Sequence, residues 1–285
     1  MALRRVPFRV RLRVPVGGVV EREGWLVEGE HGWGECSPLP SWSEAERAAA
    51  ERSAIEAASL AFPQAVRDQV EINALVPRVD PAEGARLAVA SGCRTIKIKV
   101  GDADGTARVR AVREALPDAR IRLDANGAWD VETARTEITA FAAFDIELIE
   151  DPVATMEDLA VLRRSSVIQI AAEACVRTVE DARRLRSLDA ADVFVVKPQR
   201  IGGVRAALAA AEASGLPTIP SSALETSVGL AAVLALAAAL PELPFAAGVG
   251  TALLLESDVV LDPLVPTDGV LAPRRPVVRP EEVAQ

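Results

Sequence analysis

The chain has 285 residues, half of them hydrophobic, so it is long enough for a complete barrel core or two ordinary domains. Its net charge of -9 argues against a general affinity for nucleic acid or an anionic membrane, since both require clustered Lys and Arg. The three cysteines form no CxxC pair, which argues against a disulfide framework or a zinc site and favours a reducing compartment.

Residues 1–68 are predicted to form a small α+β domain. Two strand patterns, FRVRLRV and GWLVEGE, precede an alanine-rich helix that begins near Ser43, and Ser43 with Glu46 matches a capping box. The basic start of the chain interrupts its apolar residues with arginines, so it lacks the continuous apolar stretch of a signal peptide. We therefore expect a cytoplasmic protein.

Residues 69–261 alternate short β-branched runs with amphipathic helical stretches, which indicates repeated βα units around a parallel sheet. Seven helical segments separate eight strand patterns. This favours an α/β fold of the (β/α)7β TIM-barrel type, in which the last helix is missing or replaced. A doubly wound open sheet is the alternative, but no GxGxxG follows any strand. The strand patterns are VEINALV, TIKIKV, RIRLDA, IELIED, IQIAAE, DVFVVK, LPTIPS and FAAGVG.

Two further segments complete the chain. VGLAAVLALAAAL, from Val228 to Leu240, carries no charge but is too short to span a bilayer, which needs about 20 apolar residues. It is predicted to be a helix buried on most sides, and contact with another subunit remains an open alternative. The proline-rich residues 262–285 are expected to pack back on the first domain.

Charged side chains stand at the C-terminal ends of five successive strand patterns, where β/α barrels carry their functional residues. Successive members of the set from Lys99 onward are 23 to 26 residues apart, which is one βα unit. One such residue alone is ordinarily a solvated loop residue or a helix cap, but five in register point to a site. They are Lys97 with Lys99, Asp124, Glu150, Glu173 and Lys197.

The period of two along a strand predicts which side chains point into the barrel. Apolar residues of the opposite parity would face the helices, and each charged residue would end a column of residues that fill the barrel. The predicted inward columns are Thr95, Lys97 and Lys99; Val193, Val195 and Lys197; and Ile146, Leu148 and Glu150.

Three carboxylates on adjacent strands can converge on one cation, because neighbouring strands lie about 4.8 Å apart. Asp124, Glu150 and Glu173 offer only oxygen ligands, which suit Mg²⁺, or Mn²⁺ as the alternative, better than zinc. Lys99 and Lys197 come before and after this triplet, so an ammonium would flank the metal on each side. Such an arrangement predicts removal of a proton beside a carboxylate, with burial or a neighbouring lysine lowering the pKa of the amine so that it is neutral near pH 7.

At these residues the chain resembles the enolase superfamily, in its lysine-pair branch of muconate-cycloisomerase type, and the match covers nearly the whole chain. KIK, LDANGAW, IEDP and VKPQRIGG carry the resemblance in the barrel, and GWGECSPLP carries it in the first domain, as the capping-domain strand and turn. SSALETSVGLAA and GVGTALL are most similar to the lyases of menaquinone biosynthesis that eliminate water from a succinyl-substituted hydroxycyclohexadiene carboxylate.

The resemblance implies a role for each residue of the site. Asp124, Glu150 and Glu173 would be the metal ligands, Lys99 the base that later returns its proton to the departing hydroxyl, and Lys197 the cation opposite the ring. Two features depart from the family. The third ligand is usually Asp followed by Glu in an ADES-like run, where this chain has Glu173 and Ala174, and the short chain implies a trimmed capping domain.

Supporting and substrate-binding positions are less specific. Lys97 is as well explained by an ion pair with a ligand carboxylate as by catalysis, and Asn126 by the DANG turn, so both are predicted to support the ligands. The SSALETS loop offers hydroxyl groups and a helix start as an anion site, and a plain helix cap is the alternative. The predicted substrate-binding residues are Ser221, Ser222, Thr226 and Gly248.

Three functions remain open. The first is the lyase, acting on a small-molecule carboxylate. The second is racemisation of N-acylamino acids, because the same lysine pair serves both; a dipeptide epimerase would carry DxD at the eighth strand, where this chain reads GVGT. The third is a barrel that binds ligands without turnover, for which the altered third ligand is the only support. The oligomeric state and the preferred metal are not predicted.

Overall fold

A computed structural model describes residues 3–279 of the chain. Residues 1, 2 and 280–285, which belong to the predicted first domain and C-terminal segment, lie outside the described residues. The predicted α/β fold with an N-terminal α+β unit is confirmed. The division of the chain at residues 68 and 261 stays a prediction.

The N-terminal unit is a three-stranded antiparallel sheet covered by one helix. Arginines alternate along β1 with the buried residues Phe8, Val10 and Leu12, so one face of the sheet is apolar. Gly17 and Gly18 join β1 to β2 with positive φ at both positions, as a tight two-residue hairpin requires. The predicted capping box at the start of α1 is present. The elements are β1 (Arg4–Val16), β2 (Val19–Gly29), β3 (Gly32–Cys36) and α1 (Glu44–Ser59).

The barrel contains seven parallel strands in the order β11-β10-β9-β8-β7-β6-β5. These strands are β5 (Asn73–Val76), β6 (Thr95–Lys99), β7 (Arg120–Asp124), β8 (Ile146–Glu150), β9 (Gln169–Ala172), β10 (Val193–Val196) and β11 (Thr218–Pro220), and the short strand β4 (Val70–Glu71) precedes them in a separate two-stranded sheet. Its helices are α2 (Pro81–Ala90), α3 (Gly105–Ala115), α4 (Val131–Phe141), α5 (Met156–Arg163), α6 (Val179–Ser187), α7 (Pro198–Ile201), α8 (Val204–Ser214) and α9 (Ser227–Ala239), with 3₁₀ turns at Ala142–Phe144 and Gly250–Leu254.

The predicted eighth strand, FAAGVG, closes the barrel without forming a continuous strand. Ala247 makes a parallel bridge to Ile72 at one edge of the sheet, and Gly248 makes one to Ser221 at the other. Each edge therefore finds its hydrogen-bond partner in this segment. Closure by single bridges still leaves the strand ends on one face of the barrel, which is what the site requires.

The inward columns predicted for β6 and β10 are confirmed, but the one for β8 is wrong at its first residue. Leu148 packs inside the barrel, whereas Ile146 packs outward against the core between the sheet and the helices. The cause is a register shift, because Ile121 pairs with Ile146 while Arg122 pairs with Leu148. One extra residue on β8 forms a bulge there and breaks the period of two.

The bulge gives the barrel interior a polar half. Glu147 accepts a hydrogen bond from Arg122 Nε at 2.5 Å, and Arg122 Nη1 donates to the Ala246 carbonyl oxygen at 2.7 Å. The buried guanidinium therefore ties β7, β8 and the closing segment together. On the opposite side the interior is apolar and is filled by Leu148, Ala171, Val193, Val195 and Ile219.

The apolar helix α9 is buried within the chain, as predicted. Almost all of its residues lack solvent contact, because α9 packs against α8, β11 and β3. Within residues 3–279, no helix is both long and apolar enough to cross a bilayer. After the barrel, β12 (Val270–Leu271) pairs with β4, and the Arg275 guanidinium lies 3.7 Å from the centroid of the Phe62 ring.

Candidate active site

The structure brings the predicted strand-end charges together at the C-terminal end of the barrel. On one side, Lys97 Nζ lies 2.7 Å from Asp124 Oδ2 and 2.7 Å from both carboxylate oxygens of Glu150. Lys99 Nζ lies 2.7 Å from Asp124 Oδ2 and donates to Asn126 Oδ1 at 2.7 Å. Lys97 thus contacts the predicted ligands Asp124 and Glu150, and Asn126 contacts the predicted base Lys99. These are the contacts expected of residues that support the site.

On the other side of the site, Glu173 bridges two cations. Its Oε2 accepts from Lys197 Nζ at 2.7 Å and its Oε1 from Arg200 Nη1 at 2.8 Å. Arg200 Nε also donates to Glu46 Oε1 at 2.7 Å, so the first turn of α1 is tied to this carboxylate. Lys99 and Lys197 therefore stand on opposite flanks of the carboxylates, as their strand order predicts.

A fourth carboxylate, Asp151, belongs to the cluster. Ligand atoms of Glu150, Asp151 and Glu173 lie within 4.8 Å of one another, and Asp124 falls outside this group among the described residues. Asp124 adjoins it through Lys97, which contacts both Asp124 and Glu150. Buried carboxylate oxygens at this spacing fit a hard divalent cation. The set Asp124, Glu150 and Glu173 as its ligands stays a prediction.

Hydrogen bonds from the backbone account for the position of Asp151. Its two oxygens accept the backbone N–H groups of Glu173 and Ala174, each at 2.9 Å, so it fixes the loop after β9. The sequence carried a signal for it, since Asp151 lies within the quoted IEDP motif, but only Glu150 was assigned a role. Arg200 lies in the quoted VKPQRIGG motif and was missed in the same way.

Burial and neighbouring charges shift the proton affinities of the site. Burial lowers the pKa of Lys99, and the charge of Lys97 adds to this, in the direction that a base requires. For Lys97, burial is outweighed by the charges of Asp124 and Glu150, which raise its pKa. Burial raises the pKa of Asp151 to about 8, with the charges of Glu173 and Glu150 adding to it.

The carboxylate of Glu173 behaves differently from Asp151. Burial disfavours its charged form, but Lys197 and Arg200 outweigh burial and lower its pKa to about 2. A carboxylate that stays ionised is suited to ligate a cation. Burial raises the pKa of Glu150, where Lys97 only partly offsets it.

Of the four predicted substrate residues, three make hydrogen bonds within the chain through their side chain or backbone, and Ser221 differs from them in its hydroxyl group. Ser221 directly follows β11, its backbone N–H donates to the Val196 carbonyl oxygen, and its side chain is buried with a hydroxyl that has no hydrogen-bond partner among the described residues. Ser222 Oγ donates to the Gly248 carbonyl oxygen at 2.8 Å and contacts Thr251 Oγ1 at 2.9 Å. Of the two serines, Ser221 is therefore the better candidate for substrate contact.

Thr226 and Gly248 both have structural contacts, and their role in substrate binding stays a prediction. Thr226 is fully buried and is the N-cap of α9, where its hydroxyl donates to Glu35 and accepts from Val228 N, so it has no group left for a substrate. Gly248 uses both backbone groups to close the barrel, and a Cβ there would lie 2.6 Å from Ser221 Oγ. Its lack of a side chain allows the strands to approach.

The matches to known proteins together cover nearly all of the chain. A family model described as "Enolase C-terminal domain-like" matches residues 80–276, and one described as "Enolase N-terminal domain-like" matches residues 4–58. An o-succinylbenzoate synthase of Thermobifida fusca (strain YX) is 50% identical over 286 residues, which cover 98% of this chain and 89% of that protein.

Solved structures show the same fold at lower identity. The muconate lactonizing enzyme of Pseudomonas fluorescens complexed with muconolactone superimposes with a TM-score of 0.87 at 22% identity, over 99% of this chain and 97% of the other. A dipeptide epimerase of Enterococcus faecalis V583 complexed with Mg and L-Leu-L-Tyr superimposes with a TM-score of 0.83 at 24% identity, over 97% of both chains.

Proposed function

The chain belongs to the enolase superfamily, and we propose that it catalyses the o-succinylbenzoate synthase reaction. In this reaction 2-succinyl-6-hydroxy-2,4-cyclohexadiene-1-carboxylate loses water to give o-succinylbenzoate, an intermediate of menaquinone biosynthesis. The relative from Thermobifida fusca, half identical over almost the whole chain, carries that name and supports the choice of substrate. The carbon–oxygen lyase class follows from the same choice.

The observation that carries the proposal is the position of Lys99 and Lys197 on opposite flanks of a buried carboxylate cluster. Lys99 contacts Asp124 and Lys197 contacts Glu173, each at 2.7 Å, with Glu150 and Asp151 between them. A carboxylate substrate whose ring lies against the cluster would meet one amine on each face. Proton removal from one face and stabilisation of charge from the other are then available to the same ligand.

We propose Mg²⁺ as the cofactor, with Mn²⁺ as the alternative. The cluster supplies only carboxylate oxygens, which suit these ions, and the epimerase from Enterococcus faecalis that shares the fold was solved with Mg. Asp124, Glu150 and Glu173 would hold the ion. When bound, it would offset the negative charge that develops on the substrate carboxylate as the neighbouring proton leaves.

The chain's own residues account for the movement of the proton. Lys99 Nζ, whose pKa is lowered by its burial and by the charge of Lys97 so that the neutral amine becomes available, takes the proton next to the carboxylate. The hydroxyl leaves from the same face, and Lys99 returns the proton to it, so one molecule of water is released. Lys197 forms an ion pair with Glu173 and faces the ring from the other side. The ring becomes aromatic, which favours the elimination.

The succinyl tail of this substrate needs polar groups outside the carboxylate cluster. Ser221 meets this need, because its hydroxyl is uncommitted and it follows β11, next to the strand that carries Lys197. We propose that the reaction takes place in the cytoplasm. The small-molecule carboxylate is the only binding partner that the proposal requires.

The test measures two reactions of the purified chain side by side. With Mg²⁺ or Mn²⁺, formation of o-succinylbenzoate should be faster than racemisation of N-acylamino acids under the same conditions. Faster racemisation would replace the substrate while keeping the proton-abstraction class. Exchange of a substrate α-proton in deuterated water tests that class, and a chain that neither eliminates nor exchanges would be a binding barrel.

A further inference from the structure

The loop from Ser221 to Thr226, here called the substrate loop, contains a backbone conformation that leucine rarely adopts. Leu224 has φ of 67°, in the left-handed region, and its side chain is buried beside Val228 and Leu254. A non-glycine residue in this region is disfavoured by contact between its Cβ and the backbone, so it persists only where surrounding contacts hold it.

Arg22, from the N-terminal unit, makes one of these contacts. It lies on the face of β2 that also carries Leu26, and its guanidinium is almost fully buried. Its Nε donates to the Leu224 carbonyl oxygen at 3.2 Å, and its Nη2 donates to the carbonyl oxygen of Ser37. The planar group thus links the strained peptide to the segment after β3, by two donors with fixed relative directions.

The same unit also holds the end of the substrate loop. Glu35 accepts hydrogen bonds from Thr226 N at 3.2 Å and from Gly229 N at 3.0 Å, so a carboxylate of β3 caps α9. Gln199, two residues after Lys197, donates Nε2 to Glu225 Oε1 at 3.3 Å and accepts from Ser37 N at 2.7 Å. The middle and end of the loop are therefore held largely from outside the barrel sheet.

The beginning of the loop is held by the barrel. Ser221 N donates to the Val196 carbonyl oxygen at 2.9 Å, and Ser222 N donates to that of Gly248 at 3.0 Å. If the backbone path at Leu224 changes, the residues between these two hydrogen bonds and the start of α9 must shift with it. Ser221 is the residue there whose hydroxyl is uncommitted.

We propose that Arg22 is a positioning residue for substrate binding: by holding the Leu224 carbonyl, it keeps the substrate loop in the strained path that presents the Ser221 hydroxyl to the barrel mouth. The inference rests on the proposed function only for the identity of the substrate. A purely structural role, in which Arg22 joins the two parts of the chain, would lower stability without a selective effect on the loop or on KM.

The experiment compares Arg22→Lys with Arg9→Lys, the same change at an exposed arginine of β1. Lysine keeps the positive charge near Glu35 and Glu225 but cannot donate to both carbonyls. In Arg22→Lys, amide hydrogen exchange of the peptide spanning residues 221–226 should accelerate by about 10-fold, with the peptide spanning β6 unchanged. KM should rise by about 5- to 10-fold and kcat stay within about twofold. Arg9→Lys should change neither.

A rescue distinguishes positioning from simple loss of a contact. Leu224→Gly and Leu224→Ala each remove the buried side chain, but only glycine adopts the left-handed conformation without strain. The double variant Arg22→Lys with Leu224→Gly should have a KM within about twofold of the KM of the Leu224→Gly single variant. Leu224→Ala in the same background should not restore the KM.

The outcomes separate this proposal from the proposed function. If the unaltered chain forms no o-succinylbenzoate, the proposed substrate fails while the exchange data still decide the role of Arg22. Unchanged exchange in the substrate loop of Arg22→Lys, or equal recovery by glycine and alanine, would overturn the positioning role whatever the reaction is.

Discussion

Shortening Glu173 to aspartate should separate its predicted role as a metal ligand from its role in holding the structure together. The structure gives this carboxylate two cationic partners, Lys197 and Arg200. Loss of one methylene withdraws the oxygens by about 1.5 Å. Arg200 cannot follow them, since its Nε is held by Glu46 at 2.7 Å, so the contact of Glu173 with Arg200 at 2.8 Å should break while that with Lys197 is kept. A hydrogen bond to a charged group contributes about 1.5–3 kcal/mol, so unfolding of the metal-free protein should become easier by about 2 kcal/mol.

The proposed metal site should tolerate the same change, because the resemblance to the enolase superfamily implies aspartate as the usual third ligand. Isothermal titration with Mn²⁺ should give a Kd within about 10-fold of that of the unaltered chain, with part of kcat retained. Glu173→Gln is the matched control, since it keeps the length but removes the charge and should weaken Mn²⁺ binding at least about 10-fold more. Urea denaturation in the presence of a chelator measures the loss of stability. If Glu173→Gln binds Mn²⁺ as well as Glu173→Asp does, Glu173 is not a ligand.

Five other substitutions test the remaining assignments. Asp124→Asn and Glu150→Gln should each lose Mg²⁺-dependent turnover, and activity that survives thorough chelation in the unaltered chain would contradict the metal assignment. Lys99→Ala should reduce α-proton exchange by about 10² to 10⁴ with an unchanged circular dichroism spectrum, and near-normal turnover would move the base elsewhere. Ser221→Ala should raise KM more than it lowers kcat. Ser222→Ala should instead lower the unfolding temperature, and the opposite pattern would restore Ser222 as the substrate contact.

The strand-end residues could be predicted from the sequence because the position of each follows from the alternation of side chains along its own strand. Alternation along β6 and β10 places Lys97, Lys99 and Lys197 inside, and both strands follow it without interruption. The same rule failed for Ile146, because the bulge of β8 depends on how two strands pair. A register shift between β7 and β8 leaves no reliable mark in the sequence of either strand.

The substrate loop shows a second limit of the sequence. Serine and threonine hydroxyls before a helix suit an anion site and a helix cap equally well, and only the tertiary contact with Glu35 decides for the cap at Thr226. Arg22 and Glu35 themselves lie about 200 residues before the loop that they hold. Side chains that far apart along the chain are brought together by packing of the N-terminal unit on the barrel, which periodicity does not describe.

The pairing of every carboxylate in the cluster with a donor has a consequence for how the chain folds. Asp124, Glu150 and Glu173 already face Lys97, Lys99, Lys197 and Arg200, while Asp151 accepts two backbone N–H groups. Bare carboxylates this close and this deeply buried would repel one another strongly. Lysine and arginine side chains of the same polypeptide offset part of this repulsion, which lowers the electrostatic cost of assembling the barrel around the cluster.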